Sequence, residues 1–230
     1  MLALARPRTL WLAAGILLLV CAWIYAPLLA APVLRIESLP VGKGTAYLVR
    51  GPGGALLLIN TGSDAAILRA LGSRLPPWQR SIAAVVLTDA SADAAGGLAS
   101  VLSRYQVALL VRTGVRGTAS REQAISTAIA HQKQLRPATA VRGLRIILDS
   151  GSFADILWPS AAAGRGSGQN SSVALRISYK STAFVIADNL PSRTSNWLSH
   201  IEQGALVGAL ALSSSTPSLV SDGTTVRFLK

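Results

Sequence analysis

An uncharged stretch of 26 residues, Thr9 to Leu34, does most to limit what this chain can be. It lies between Arg8 and Arg35 and carries the run LWLAAGILLLVCAWIYAPLLAA. As a helix it would be about 39 Å long, longer than the roughly 30 Å hydrocarbon core of a bilayer. The expectation is one transmembrane helix over residues 9–34, with residues 1–8 in the cytoplasm and residues 35–230 forming a domain on the other side of the cell membrane. Arg6 and Arg8 set that orientation through the positive-inside bias. Trp11 near one end, and Trp23 and Tyr25 toward the other, sit where amphipathic rings favour the interface. A cleaved signal peptide competes, because the segment has a basic start and small residues, Ala30 and Ala31, at its end. Its length, and Pro32 directly after Ala31, weigh against cleavage.

Composition narrows the chemistry of the rest. The chain has two histidines, His131 and His200, and one cysteine, Cys21, which falls inside the apolar segment. An internal disulfide is impossible, and with Cys21 inside the apolar segment a site needing three or more imidazole or thiolate ligands cannot be built in the rest of the chain. Basic residues number 22 against 10 acidic, a formal net charge of +12. Such a balance points to anionic surroundings, nucleic acid or phospholipid headgroups, or to an arginine-rich proteome with no partner implied.

Short apolar or β-branched runs, Val33 to Ser38, Thr45 to Arg50 and Ala55 to Asn60, read as strands, the last two joined by the hairpin signal Gly51-Pro52-Gly53-Gly54. A helix from Ser63 to Leu71 closing on Gly72, a strand Ile82 to Thr88, a helix Ala94 to Arg104 and a strand Ala108 to Val111 follow. Ser120 and Gln123 have capping-box spacing, ahead of a helix with Ala124, Ile125, Ala128 and Ile129 on one stripe. Strands are expected over Leu144 to Leu148, Asp155 to Trp158, Val173 to Ser178, Ala183 to Ala187, Leu206 to Leu212 and Thr225 to Leu229, with a helix near Ser192 to Gln203. The Gly- and Ala-rich stretch Ala161 to Gln169 reads as a loop. Hairpins followed by βα units predict an α/β class with two sheets and outer helices.

The runs Val41-Gly42-Lys43-Gly44-Thr45 and Leu57-Leu58-Ile59-Asn60-Thr61-Gly62 resemble the opening of the metallo-β-lactamase fold. Leu87-Thr88-Asp89-Ala90-Ser91-Ala92-Asp93-Ala94-Ala95-Gly96-Gly97-Leu98 follows that family's metal-binding stretch, Leu-Thr-His-x-His-x-Asp-His-x-Gly-Gly-Leu. Leu157-Trp158-Pro159, Asn170 to Leu175 and Ile186-Ala187-Asp188-Asn189-Leu190 resemble one branch, the C-terminal domain of ComEC-type competence channels, which take up DNA. The resemblance spans residues 10 to 230. It implies a four-layer αββα metallo-β-lactamase-like sandwich preceded by one transmembrane helix.

The departures from that pattern bear on function. Where the resembled family has histidine, this chain has Asp89, Ser91 and Ala94; Asp93 keeps the family aspartate, and Asp188 matches an aspartate that bridges two metals. Ser213 to Thr216 stand where a further histidine is expected. These residues imply a vestigial metal site with no cofactor and a domain without catalytic residues, a pseudoenzyme. An alternative is a divalent hard cation held by Asp89, Asp93 and Asp188, whose oxygens suit magnesium, calcium or manganese but fall short of six donors. That site would serve a metal-dependent phosphodiester hydrolase. A serine hydrolase finds little support, since no Gly-x-Ser-x-Gly elbow occurs and neither histidine has a suggestive neighbour.

Between positions 104 and 145 eight basic residues face a single acid, Glu122: Arg104, Arg112, Arg116, Arg121, Lys133, Arg136, Arg142 and Arg145. Guanidinium forks take phosphate bidentately, so these are candidates for backbone contact with DNA, with contact to lipid headgroups as the rival. Tyr105 is the lone aromatic there, which disfavours a base-stacking platform. The expected role is a membrane-anchored binding or scaffolding module working with DNA or a separate channel protein. A nonfunctional remnant is the third reading.

Overall fold

The structure is a computed structural model that describes residues 11, 14–19, 21, 32–159, 172–187, 211–212 and 218–229. The chain divides into two compact units, Met1–Pro32 and Val33–Lys230. In the first, residues 14–19 are helical and exposed. The span expected over 9–34 lies mostly outside the described residues; among those described, no helix is long and apolar enough to cross a membrane. Leu34, the last residue of the uncharged run, is instead the first of strand β1 and is buried.

The second unit runs β1 (Leu34–Ser38), β2 (Tyr47–Arg50), β3 (Leu56–Ile59), α1 (Ala66–Arg74), β4 (Ser81–Val86), α2 (Ala92–Ala95), α3 (Leu98–Arg104), β5 (Gln106–Arg112), α4 (Ala119–Ala130) and β6 (Arg136–Thr139). It continues with β7 (Arg145–Asp149), β8 (Ser152–Trp158), β9 (Ala174–Tyr179), β10 (Thr182–Ala187), β11 (Ala211–Leu212), β12 (Ser218–Ser221) and β13 (Val226–Leu229). Among the described residues these strands form two sheets, ordered β13-β12-β1-β2-β3-β4-β5-β6 and β11-β10-β9-β8-β7. Strands β3 to β6 pair in parallel, with α1, α3 and α4 on the crossovers.

Period-two alternation builds both cores. Leu57 and Ile59 point into the space between the sheets with Tyr47, Val49, Val86, Leu175, Ile177 and Phe184. Leu56 and Leu58, on the other face, pack with Ile67 and Leu71 of α1, Leu98 and Val101 of α3, and Ile125 of α4. A helix layer and two sheets are thus in place. The fourth layer, with the helix expected at Ser192 to Gln203, lies outside the described residues, as do the loop 161–169 and most of the strand expected at Leu206 to Leu212.

Several boundaries differ from expectation. Helix α1 runs through Gly72 to Arg74 and ends at Leu75, which is extended because Pro76 follows it. The helix expected from Ala94 to Arg104 is two, α2 and α3, separated by Gly96 and Gly97. Helix α4 has Thr118, not Ser120, at its N-cap, with no side-chain capping bond. Strand β6, which contains Pro137, and the short β12 are additional; β6 is an edge strand, where a missing N–H is tolerated.

The outer face of the second sheet carries one ionic cluster. Asp155 of β8 stands opposite Arg145 of β7 and Arg176 of β9. Arg145 donates from Nε at 2.6 Å and Nη2 at 3.0 Å, and Arg176 from Nη2 at 3.1 Å. Burial pushes the Asp155 carboxyl up, but the two guanidinium groups outweigh it and hold its pKa below the usual carboxylate value.

Candidate functional site

In parallel sheets the loops leaving the strand C-termini gather at one edge, the usual place for a site. Here those loops are Asn60–Gly62 after β3, Leu87–Ser91 after β4, and the stretch after β5. They are knitted together by their own polar groups. Asn60 is fully buried with a φ of 58°, a conformation asparagine tolerates. Its Nδ2 donates to Thr88 Oγ1 at 2.8 Å and Thr45 Oγ1 at 3.0 Å, while its Oδ1 accepts the Thr88 N–H at 2.8 Å. Thr61 donates from both its backbone N–H and its hydroxyl to the Ala94 carbonyl, at 2.7 and 2.9 Å. Val173, leading into the second sheet, donates its N–H to the Thr88 carbonyl at 2.6 Å.

Glycine permits the closest approach. A Cβ on Gly44 would lie 2.0 Å from the Asp93 carbonyl oxygen, and Gly44 has a φ of +85°. The β1–β2 connection can therefore press on α2 only as glycine.

The positions that the resemblance assigns to metal ligands are occupied otherwise. Asp89 is 8% exposed, and its Oδ1 accepts the Ser91 N–H at 2.7 Å, closing a short turn. Ser91 is the N-cap of α2, its Oγ accepting the Ala94 N–H at 3.3 Å. Ala94 turns a methyl group into the interior, 3% exposed. Asp93 is exposed in the first turn of α2. A zinc site needs about three nitrogen, sulfur or oxygen donors converging on one point, with a fourth position open. A methyl, a hydroxyl committed to a cap and a carboxylate oxygen committed to a turn do not fit zinc. Among the described residues no three His, Cys, Asp or Glu side chains gather in a way that could hold a metal ion. Asp188, the third carboxylate of the hard-cation alternative, lies outside the described residues, as do Ser213 to Thr216 and His200.

The eight basic candidates do not share one face. Arg104 ends α3 and Lys133 follows α4, both where β4 and β5 begin, whereas Arg112 and Arg116 lie where β5 ends. Arg112 Nη2 donates to Glu122 Oε2 at 2.6 Å, and Glu122 Oε1 accepts the Gly117 N–H at 3.1 Å. Burial pushes the Glu122 carboxyl up, yet the bonds from Arg112 and Gly117, with the charges of Arg112 and Arg116, leave its pKa below the usual value. Arg121 Nη1 donates to the Ala90 carbonyl at 2.8 Å, fastening α4 to the site loop. Arg145 is held by Asp155. Arg116, Arg136 and Arg142 are exposed. His131 caps the C-terminus of α4 and is exposed.

The Asn60 and Arg121 contacts were not foreseen from sequence. Their partners are 15 to 31 positions away, and neither residue type announces its partner. The hint for Asn60 is its place after a strand and before Thr-Gly, where a left-handed residue is needed.

No protein-family model and no curated protein matches the chain. Solved structures similar to it include Zn(2+)-bound PqqB from Methylobacterium extorquens, at 13% identity and a TM-score of 0.46, covering 67% of this chain and 64% of that one. A metallo-β-lactamase of Cronobacter sakazakii is similar at 17% identity and a TM-score of 0.42, covering 68% of this chain and 58% of that one. A mutant of the β-hydroxylase CmlA is similar at 9% identity and a TM-score of 0.43, covering 74% of this chain and 33% of that one. The chain spans less than two thirds of the length of each.

Proposed function

We propose that this chain is a membrane-tethered, metallo-β-lactamase-like module that binds or scaffolds rather than hydrolyses, akin to the C-terminal domain of DNA-uptake channels. The observation that carries the reading is the use of the ligand positions to hold the loop: Asp89 closes a turn, Ser91 caps α2 and Ala94 packs inward. Support for the tether is the uncharged run 9–34, with Arg6 and Arg8 placing the domain outside the cytoplasm. Support for contact with the DNA backbone is the exposure of Arg116, Arg136 and Arg142. One helix cannot form a pore, so a separate channel protein is the partner this reading needs.

The test uses the full chain in detergent with duplex DNA and a phosphodiester substrate, with zinc, manganese or magnesium added. The expected outcome is no hydrolysis and salt-sensitive DNA binding. Three neutralised phosphates would weaken affinity roughly fortyfold between about 50 and 200 mM salt. Salt-independent binding, or none, would remove DNA from the account. Metal-dependent cleavage abolished by Asp93→Ala would replace the whole reading with the hydrolase alternative.

A further inference from the structure

We propose that the domain rests on the anionic phospholipid surface of its membrane through the end of the first sheet where the parallel strands begin, with Trp78 entering the headgroup layer. The inference rests on the tether proposed above. Strand pairing places the starts of β1, β3, β4 and β5 at one end, because Arg35 pairs with Arg50, Arg50 with Leu56, Leu57 with Ala84 and Ser81 with Gln106. The chain therefore enters the domain at that end. About 20 residues suffice to cross a bilayer, so a 26-residue uncharged run whose last residue, Leu34, opens β1 leaves about five residues, roughly 17 Å when extended, before the strand. A tether that short limits how far the domain's point of entry can lie from the headgroups.

The side chains at that end suit the position. The three connections that bring α1, α3 and α4 back to the sheet all arrive there, carrying Trp78 and Arg80, Arg104, and Lys133. Arg80 and Arg104 line one groove together with Tyr105 and His131. Trp78 is 80% exposed; with Ile147 it is one of two large apolar side chains exposed among the described residues of the domain. A turn holds it out, the Gln79 N–H bonding the Pro76 carbonyl at 2.9 Å behind two prolines. Among the described residues, Arg80, Arg104 and Lys133 have no ion pair. The nearby acids are engaged: Glu37 faces Arg35 and Arg74, and Asp149 accepts from Gly53 and Ser152. An indole beside unpaired cations matches the interface of an anionic leaflet, where aromatic rings settle and basic groups meet phosphate.

The full chain, reconstituted in vesicles, gives the test. The emission of Trp78 is taken as the difference between the parent chain and Trp78→Phe. In vesicles of equal parts phosphatidylglycerol and phosphatidylcholine, that emission is expected to shift to the blue and be quenched by brominated lipid. In pure phosphatidylcholine, or in the triple variant Arg80→Glu, Arg104→Glu, Lys133→Glu, it should stay open to aqueous acrylamide. Equal acrylamide access in both vesicle types overturns the proposal. So does shielding of Trp78 by duplex DNA but not by vesicles, which would make this end a nucleic-acid surface. Retention of the chain on phosphatidylcholine vesicles after an alkaline wash reads the tether separately: loss of retention with Trp78 still shielded overturns the tether alone.

Discussion

The amide of Asn60 bonds across three loops, and its removal takes a partner from the buried Thr88 N–H and hydroxyl and from the part-buried Thr45 hydroxyl. A buried group left short of a partner costs about 1–3 kcal/mol. Asn60→Ala is expected to lower stability by about 3 kcal/mol, read by urea denaturation. Asn60→Gly should be milder by about 1 kcal/mol, since glycine adopts the left-handed backbone without the penalty alanine meets. Equal losses would mean that backbone conformation plays no part. Asp155 makes a prediction in pH. Its folded-state pKa lies below the unfolded value of about 3.9, so its contribution is present above that value and is lost as pH falls through the folded pKa. Stability should be flat from about pH 7 to 5 and fall below about pH 4, and Asp155→Asn should flatten the acid limb. An unchanged acid limb in that variant would place the proton uptake elsewhere, for instance at Glu122.

Among the elements, the connections around α2 depend on fit rather than on bond count. Gly44→Ala would drive a methyl into the Asp93 carbonyl and is expected to cost about 3 kcal/mol. Gly42→Ala, at a φ of +74° but with open space around it, should cost only about 1–2 kcal/mol. Similar thermal shifts for the two would show that the close approach does not matter. Strands were the most legible elements in the sequence, because a short unbroken apolar run such as Leu56 to Ile59 suits a strand buried on both faces, whose side chains enter the two cores in turn. Ends were less legible. Gly72 reads as a helix stop, yet its backbone stays helical and the stop comes from Pro76, about one turn later in the chain. Pro137 hides β6, because its compatibility with an edge strand depends on which neighbour is missing, and sequence order does not reveal that.

For the whole molecule, charge is divided by topology. The run from Arg104 to Arg145 looks like one basic surface in sequence, but crossing helices send its members to opposite ends of the sheet. Arg112, Arg121 and Arg145 are committed to partners within the chain. Arg112→Gln should therefore reduce stability with little direct effect on DNA affinity, whereas Arg116→Gln with Arg136→Gln should weaken DNA binding and leave the melting temperature nearly unchanged. The reverse pattern would contradict the division. At the candidate site, the residue identities were legible and their employment was not: an alanine at position 94 already excludes one ligand, but the cap made by Ser91 and the turn closed by Asp89 appear only with the loop's conformation. The most direct measurement is the metal content of the full chain, purified without chelator and then equilibrated with excess zinc and desalted. The account predicts well under one equivalent bound and no change in melting temperature on adding chelator; one or two tightly held equivalents, with melting lowered by chelation, would contradict it.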